Sequence, residues 1–274
     1  MGAGRRLSTA RVGPPSERVL QEGSGRRIVR EAGGLTVRKT FTTGPRAERE
    51  RTAADELSRL SRFSAALADV PGATCPRPLG QLDDPDPGYR MSWVEGEDLA
   101  EYLRRPVPEE VLGRIGRTIA VALRAYVSSV GEPYSDLKLG NILVGPAGGL
   151  AFCDVGLPDG DALSVPADAG CEVSVGNLLA SLVFDSARPS WCLHRRLHRQ
   201  SAVVAAALVA GLRDGGQPLR DDVLRAAADL AYRRNTFGRK SPVRTLWYAS
   251  IGWAVGLRVR TAAGVVGPAP FRRD

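Results

Sequence analysis

The spacing of apolar residues changes character once along this chain, and that change limits what it can fold into. Between Arg18 and Phe41 short apolar runs are punctuated by glycine: Val19-Leu20, Gly23-Ser24-Gly25, Ile28-Val29, Gly33-Gly34, then Leu35, Val37, Lys39 and Phe41 at every second place. Alternation of this kind, broken at glycines, predicts a three-stranded meander. In its third strand Leu35, Val37, Lys39 and Phe41 fall on one face, so the ammonium of Lys39 stands among apolar neighbours. From Pro45 to Val70 the spacing is helical instead, with Leu57, Leu60, Phe63 and Leu67 on one side.

The remainder follows the second period with brief returns to the first. Pro71 to Gly88 is crowded with Pro, Gly and Asp and predicts a loop around one short strand. Tyr89 to Val94 reads as a strand that ends at Glu95-Gly96. Helices are predicted over Asp98–Arg104 and Pro108–Ser129, and two short strands, Ile142–Val144 and Leu150–Cys153, are joined by a glycine-rich turn. After Val173 the pattern is helical with breaks near 185–190, 214–222 and 238–242, and a last core-packing helix is predicted over Arg244–Arg260 in preference to an interfacial membrane helix. A β-rich first third and a helical remainder predict an α+β protein of two lobes with a hinge near Trp93 to Gly96. The corresponding division is a basic tail over 1–16, a first lobe over 17–95 and a second over 96–274.

At 274 residues, 43% hydrophobic and 25% charged, the composition excludes bulk disorder and fibrous classes. No run approaches the roughly 18 apolar residues of a spanning helix. Cys75, Cys153, Cys171 and Cys192 show no CxxC spacing and the N-terminus lacks the apolar core of a secretory signal, so the expectation is a cytoplasmic protein without disulfides. The net charge is +8, yet lysine occurs only at Lys39, Lys138 and Lys240, all other basic residues being arginine. Lysine is a compact point charge and arginine a planar fork, so a lysine that survives such a bias marks a position where the difference matters.

The densest chemical signal runs from Tyr134 to Val144, Tyr-Ser-Asp-Leu-Lys-Leu-Gly-Asn-Ile-Leu-Val, and resumes at Phe152-Cys-Asp-Val-Gly156. An Asp, an Asn five residues on, and an Asp-x-Gly thirteen residues further resembles the catalytic and metal-binding loops of the protein-kinase-like superfamily, which spans Ser/Thr protein kinases and aminoglycoside-type phosphotransferases. The resemblance covers about residues 18 to 180. It implies a two-lobed protein-kinase-like fold with a small β-rich first lobe and a mainly helical second lobe, and it implies ATP and Mg²⁺.

Phosphoryl transfer asks a protein to hold phosphates, neutralise them and orient an acceptor hydroxyl. By the resemblance Asp136 accepts or orients the acceptor's proton, with Lys138 beside it against phosphate oxygens. Asn141 and Asp154 supply hard oxygen ligands to magnesium, and Gly156 frees the backbone after the second of them. Lys39 matches the phosphate-contacting lysine, and its helix partner is Glu56 in preference to Glu48 or Glu50. Gly23 and Gly25 suit the loop over the phosphates, and the Ser92 carbonyl and Val94 N–H the adenine edge.

Some positions depart from the family pattern. Tyr134-Ser135 stands where His-Arg or His-Gly is usual, the third glycine of the phosphate loop is missing, and no Ala-Pro-Glu follows Asp154. The buried acid near the start of the second-lobe helix has only Glu172 or Asp168 to supply it. Cys192, His194 and His198 have a helical spacing that could suggest metal, but neighbouring arginines repel a cation. The arginine-rich segment reads first as a solvated basic helix; where it faces the cleft, Arg195, Arg196 and Arg199 supply forks for an anionic acceptor. The expected activity is transfer of the γ-phosphate of ATP to a hydroxyl of a small molecule or sugar-like acceptor. The alternatives are a Ser/Thr protein kinase and an inert nucleotide-binding scaffold. No nucleic-acid partner is expected, and membrane contact, if any, would be peripheral.

Overall fold

The computed structural model describes residues 17–23, 25–82, 85–156, 170–186, 195–216, 219–237, 261–262 and 264. The described residues divide into two compact units: those up to Leu57 with Pro78–Trp93, and Ser58–Arg77 with those from Val94 onward. Residues 58–77, which the sequence assigns to the first lobe, thus group with the second unit.

In the first unit β1 (Arg18–Gly23), β2 (Arg26–Arg30) and β3 (Thr36–Phe41) form an antiparallel meander. It is extended by β6 (Gly88–Ser92) and β5 (Pro78–Gln81) into a five-stranded antiparallel sheet of order β1-β2-β3-β6-β5. Val37, Phe41, Tyr89 and Met91 are buried on the pleated face that Lys39 shares, and Val29, opposite Arg38, is buried on the other. Leu35 departs from the alternation. It lies in the turn before β3, not in the strand, and is 78% exposed. The first part of α1 (Arg46–Leu67) belongs to this unit and buries Ala53 and Glu56.

The second unit holds the rest of α1, whose Leu60, Phe63 and Leu67 are buried at helical spacing. A small sheet of order β4-β9-β8-β7 follows, made of β4 (Ala73–Thr74), β7 (Glu97–Asp98), β8 (Ile142–Val144) and β9 (Leu150–Phe152). The loop predicted to hold one strand therefore holds two, β4 and β5, in different sheets. Asp98 caps α2 (Leu99–Tyr102), accepting the Glu101 N–H at 2.8 Å.

Among its described residues this unit also holds four longer helices: α3 (Glu109–Val130), α4 (Cys171–Ser186), α5 (Arg195–Asp214) and α6 (Asp221–Phe237). Packing runs mainly between α3 and α5 and between α4 and α6. The second crossing depends on Gly176, where a Cβ would stand 2.7 Å from the Cβ of Ala227. Among the described residues no helix is long and apolar enough to cross a membrane. The helix predicted over 244–260 lies outside the described residues.

Candidate functional site

The sequence-predicted residues gather into two groups, one in each unit. In the first, β3 carries Lys39 inward and α1 presents Glu56 to it: Nζ to Oε2 is 2.7 Å, and both side chains are only 1% exposed. Tyr89 stands directly across from Lys39 in the β3–β6 register and donates its hydroxyl to the same Oε2 at 3.0 Å. The Lys39 ammonium also lies 5.7 Å from the centre of the Phe41 ring. Arg26, the first residue of β2, brings its guanidinium to 4.0 Å from Glu56 Oε1, an oxygen that no hydrogen bond satisfies. Glu50 is spent on Arg46 at 2.7 Å, at the solvent side of the helix.

Gly23 ends β1 opposite Arg26, so the connection to β2 is a two-residue turn whose second member, Gly25, has φ +72°. That left-handed backbone is why glycine suits the position. Ser24 lies outside the described residues. Ser92 closes β6 opposite Thr36, Trp93 donates its N–H to the Leu35 carbonyl at 2.8 Å, and Val94 opens the second unit.

In the second unit the loop from Tyr134 to Asn141 is fixed from three sides. Tyr134 packs its ring at 4.7 Å on Tyr126 and edge-on to Phe63, which in turn meets Phe152. Its hydroxyl donates to the Cys153 carbonyl at 2.6 Å. Full burial, with the Asp154 charge adding to it, pushes this phenol well above the usual tyrosine range. The Asn141 amide Nδ2 donates both to the Asp136 carbonyl at 2.8 Å and to its Oδ2 at 3.2 Å. Lys138 Nζ lies 2.8 Å from the same Oδ2. Asn141 then accepts the Cys153 N–H at 2.8 Å through its backbone carbonyl, which ties the residue before Asp154 to the loop.

The third side is α4. Ser174, Asn177 and Ser181 recur at helical spacing on one face of an otherwise apolar helix. Ser174 Oγ accepts the Tyr134 N–H at 2.8 Å, Asn177 Nδ2 donates to the Ser135 carbonyl at 2.6 Å, and Ser181 Oγ accepts the Leu139 N–H at 3.1 Å. These bonds bracket Asp136. Sequence reasoning looked for a buried acid here and missed the three polar residues, although their spacing of three and four within an apolar run was the available signal. Glu172 is buried but faces elsewhere, accepting the Arg220 backbone N–H at 3.2 Å and pairing with its Nε at 3.3 Å. Asp168 lies outside the described residues.

Asp154 has φ +57° and is, among the described residues, the one non-glycine residue in the left-handed region. The left-handed backbone therefore falls on Asp154 itself and not on Gly156. Such strain costs on the order of 1–3 kcal/mol and collects where surroundings over-determine a side chain's direction. With Nδ2 held by Asp136, the Asn141 amide turns Oδ1 to its other side. Asn141 Oδ1 and the Asp154 carboxylate are hard oxygens of the kind magnesium takes one or two at a time, completing its shell with water and phosphate. No cluster of three or more His, Cys, Asp or Glu suited to a metal occurs among the described residues.

A meander whose third strand carries a lysine paired to a helix glutamate, and a loop that joins Asp136 to Asn141 and leads through two short strands to Asp154, make an arrangement that resembles the protein-kinase-like superfamily. No family model matches the chain. A protein of Oryza sativa subsp. japonica named as cyclin-dependent kinase F-2 is 30% identical over 113 residues, 38% of this chain. The chain spans only 34% of that relative's length. The crystal structure of the PknI kinase domain of Mycobacterium tuberculosis, a cysteine-to-alanine mutant, is 16% identical and covers 80% of this chain and 94% of its own, with a TM-score of 0.45.

Of the remaining sequence candidates, Arg199 on α5 is exposed and pairs with Glu109 at 3.3 Å, and His198 is buried. The side chains of Arg195 and Arg196, together with Cys192 and His194, lie outside the described residues.

Proposed function

We propose that the chain is an ATP-dependent phosphotransferase that moves the γ-phosphate to the hydroxyl of a small-molecule or sugar-like acceptor. The observation that carries the proposal is the convergence of Asn141 and Lys138 on one carboxylate oxygen of Asp136, in a loop tethered to the residue before a strained Asp154. In this reading residues 17–95 bind the nucleotide and 96–274 carry the catalytic loop.

Magnesium-bound ATP would supply the transferable phosphoryl group, and the work left to the chain is positioning and charge neutralisation. Lys39, aligned by Glu56, meets phosphate oxygens as a point charge. Gly23 and Gly25 allow the backbone to approach those phosphates, and the Ser92 carbonyl and Val94 N–H meet the adenine edge. Asn141 and Asp154 offer oxygens to the metal. Asp136 holds the acceptor hydroxyl and takes its proton, while Lys138, 2.8 Å from Asp136, balances charge that develops nearby.

A second reading, a Ser/Thr protein kinase, is favoured by Lys138: an Asp-x-Lys here is more usual among protein kinases than among aminoglycoside-type enzymes. Against it stands the absence of Ala-Pro-Glu after Asp154. Radiolabelled ATP supplied with cell extract separates the readings when protein and metabolite fractions are counted apart. Label in metabolites supports the first reading and label in proteins the second. Nucleotide binding without transfer to either would leave an inert scaffold.

A further inference from the structure

We infer that Tyr89 is a positioning residue that fixes Glu56, and through it Lys39, in the geometry that meets nucleotide phosphates, an inference that rests on the proposed function. Lys39 and Tyr89 are cross-strand partners on β3 and β6, and both reach a single carboxylate oxygen, Glu56 Oε2, at 2.7 and 3.0 Å. Oε1 has no hydrogen bond, and the guanidinium of Arg26 stops at 4.0 Å. All three side chains of the triad are 1% exposed.

The asymmetry is informative. A glutamate's terminal torsion is broad, so the plane of its carboxylate turns easily when nothing fixes it. An ammonium alone is a poor discriminator, because it is a compact charge with three rotatable donors. A phenol projecting from a sheet is rigid and directional. Tyr89 therefore fixes the plane of the carboxylate, and the lysine meets the oxygen that the phenol holds. When Lys39 turns toward a phosphate, Tyr89 still anchors Glu56, so the carboxylate stays in place to align the ammonium.

Tyr89→Phe keeps the ring in the core and removes the hydroxyl that donates to Glu56. Calorimetric titration of MgADP should show a dissociation constant raised about tenfold, the order expected for a hydrogen bond to a charged group. In a Lys39→Met background the same change should alter affinity less than about twofold, because Tyr89 acts through the lysine. A purely structural role would instead lower the unfolding midpoint and give the same fold-loss in both backgrounds. That result, or wild-type affinity in Tyr89→Phe, overturns the inference. If the wild-type chain binds no MgADP, the functional reading fails. The inference is then judged by the Glu56 side-chain ¹³Cδ resonance, which must shift or broaden in Tyr89→Phe, and an unmoved resonance overturns it. The same resonance decides the matter if the double variant does not fold.

Discussion

The hydroxyl of Tyr134 donates to the carbonyl of Cys153 at 2.6 Å, and so joins the start of one loop to the residue before Asp154. The tyrosine that departs from the usual His-Arg pattern thus makes a tether of its own. Tyr134→Phe keeps the stack on Tyr126 and leaves a part-buried carbonyl without this donor. The expected loss is about 1–3 kcal/mol, read as a lowered urea midpoint with an unchanged slope. An unmoved midpoint would show that the tether contributes nothing.

Lys39 and Glu56 form a pair from which neither member can be removed cheaply. Lys39→Ala leaves a buried carboxylate without its ammonium, a defect worth on the order of 3–5 kcal/mol in stability. Both Lys39→Ala and Asp154→Asn should weaken MgATP binding and slow transfer, since each withdraws charge stabilisation from phosphate or metal. Binding unchanged in both variants would favour the scaffold reading.

The polar face of α4 brackets Asp136, so its loss should be felt in turnover more than in nucleotide affinity. Ser174→Ala and Ser181→Ala each leave one backbone N–H, of Tyr134 or Leu139, without its acceptor. Each is expected to cost about 1–3 kcal/mol and to lower kcat while the KM for ATP stays within a few-fold. Steady-state kinetics on the two variants check this, and a rise in KM at constant kcat would assign the serines to nucleotide binding instead.

Burial raises the thiol of Cys153 to about 12 and those of Cys75 and Cys171 to about 11, and it pushes the Tyr134 phenol up as well. In each case the folded state holds its proton more tightly than the unfolded state, whose thiols titrate near 9.0. The stabilising contribution is therefore complete below pH 9 and is lost as pH rises from there through 11 to 12. The slope is at most about 1.4 kcal/mol per pH unit for each group. Urea unfolding measured from pH 8 to 10.5 should show this decline, and Cys171→Ala should make it shallower. A flat profile would mean that these groups titrate alike in both states.

What the sequence disclosed was local. Glycine punctuation from Gly23 to Gly34, the helical spacing through Phe63, and the Asp136–Asn141–Asp154 order all lie within short windows, where period and spacing act directly. Leu35 misled because alternation alone does not say where a strand begins: the turn before β3 takes it, and it points to solvent. Of the two short strands in the loop after α1, β4 pairs with a distant partner, β9, and nothing local marks it, whereas β5 forms a hairpin with the next strand, β6. Tyr89 was legible as a strand residue but not as a donor to Glu56, 33 residues away. Ser174, Asn177 and Ser181 were hidden for the same reason, since each meets a backbone group some 40 residues earlier.

The central claim is that Asp136 serves an acceptor hydroxyl while other residues hold the nucleotide. Single-turnover transfer from γ-labelled ATP, with MgATP affinity measured in parallel, tests it directly on the wild-type chain and on Asp136→Ala. The account predicts label on an acceptor with the wild-type chain, none above background with Asp136→Ala, and MgATP dissociation constants within a few-fold of each other. Equal transfer by the two proteins, or label that remains on ATP with the wild-type chain in every acceptor fraction, would contradict it.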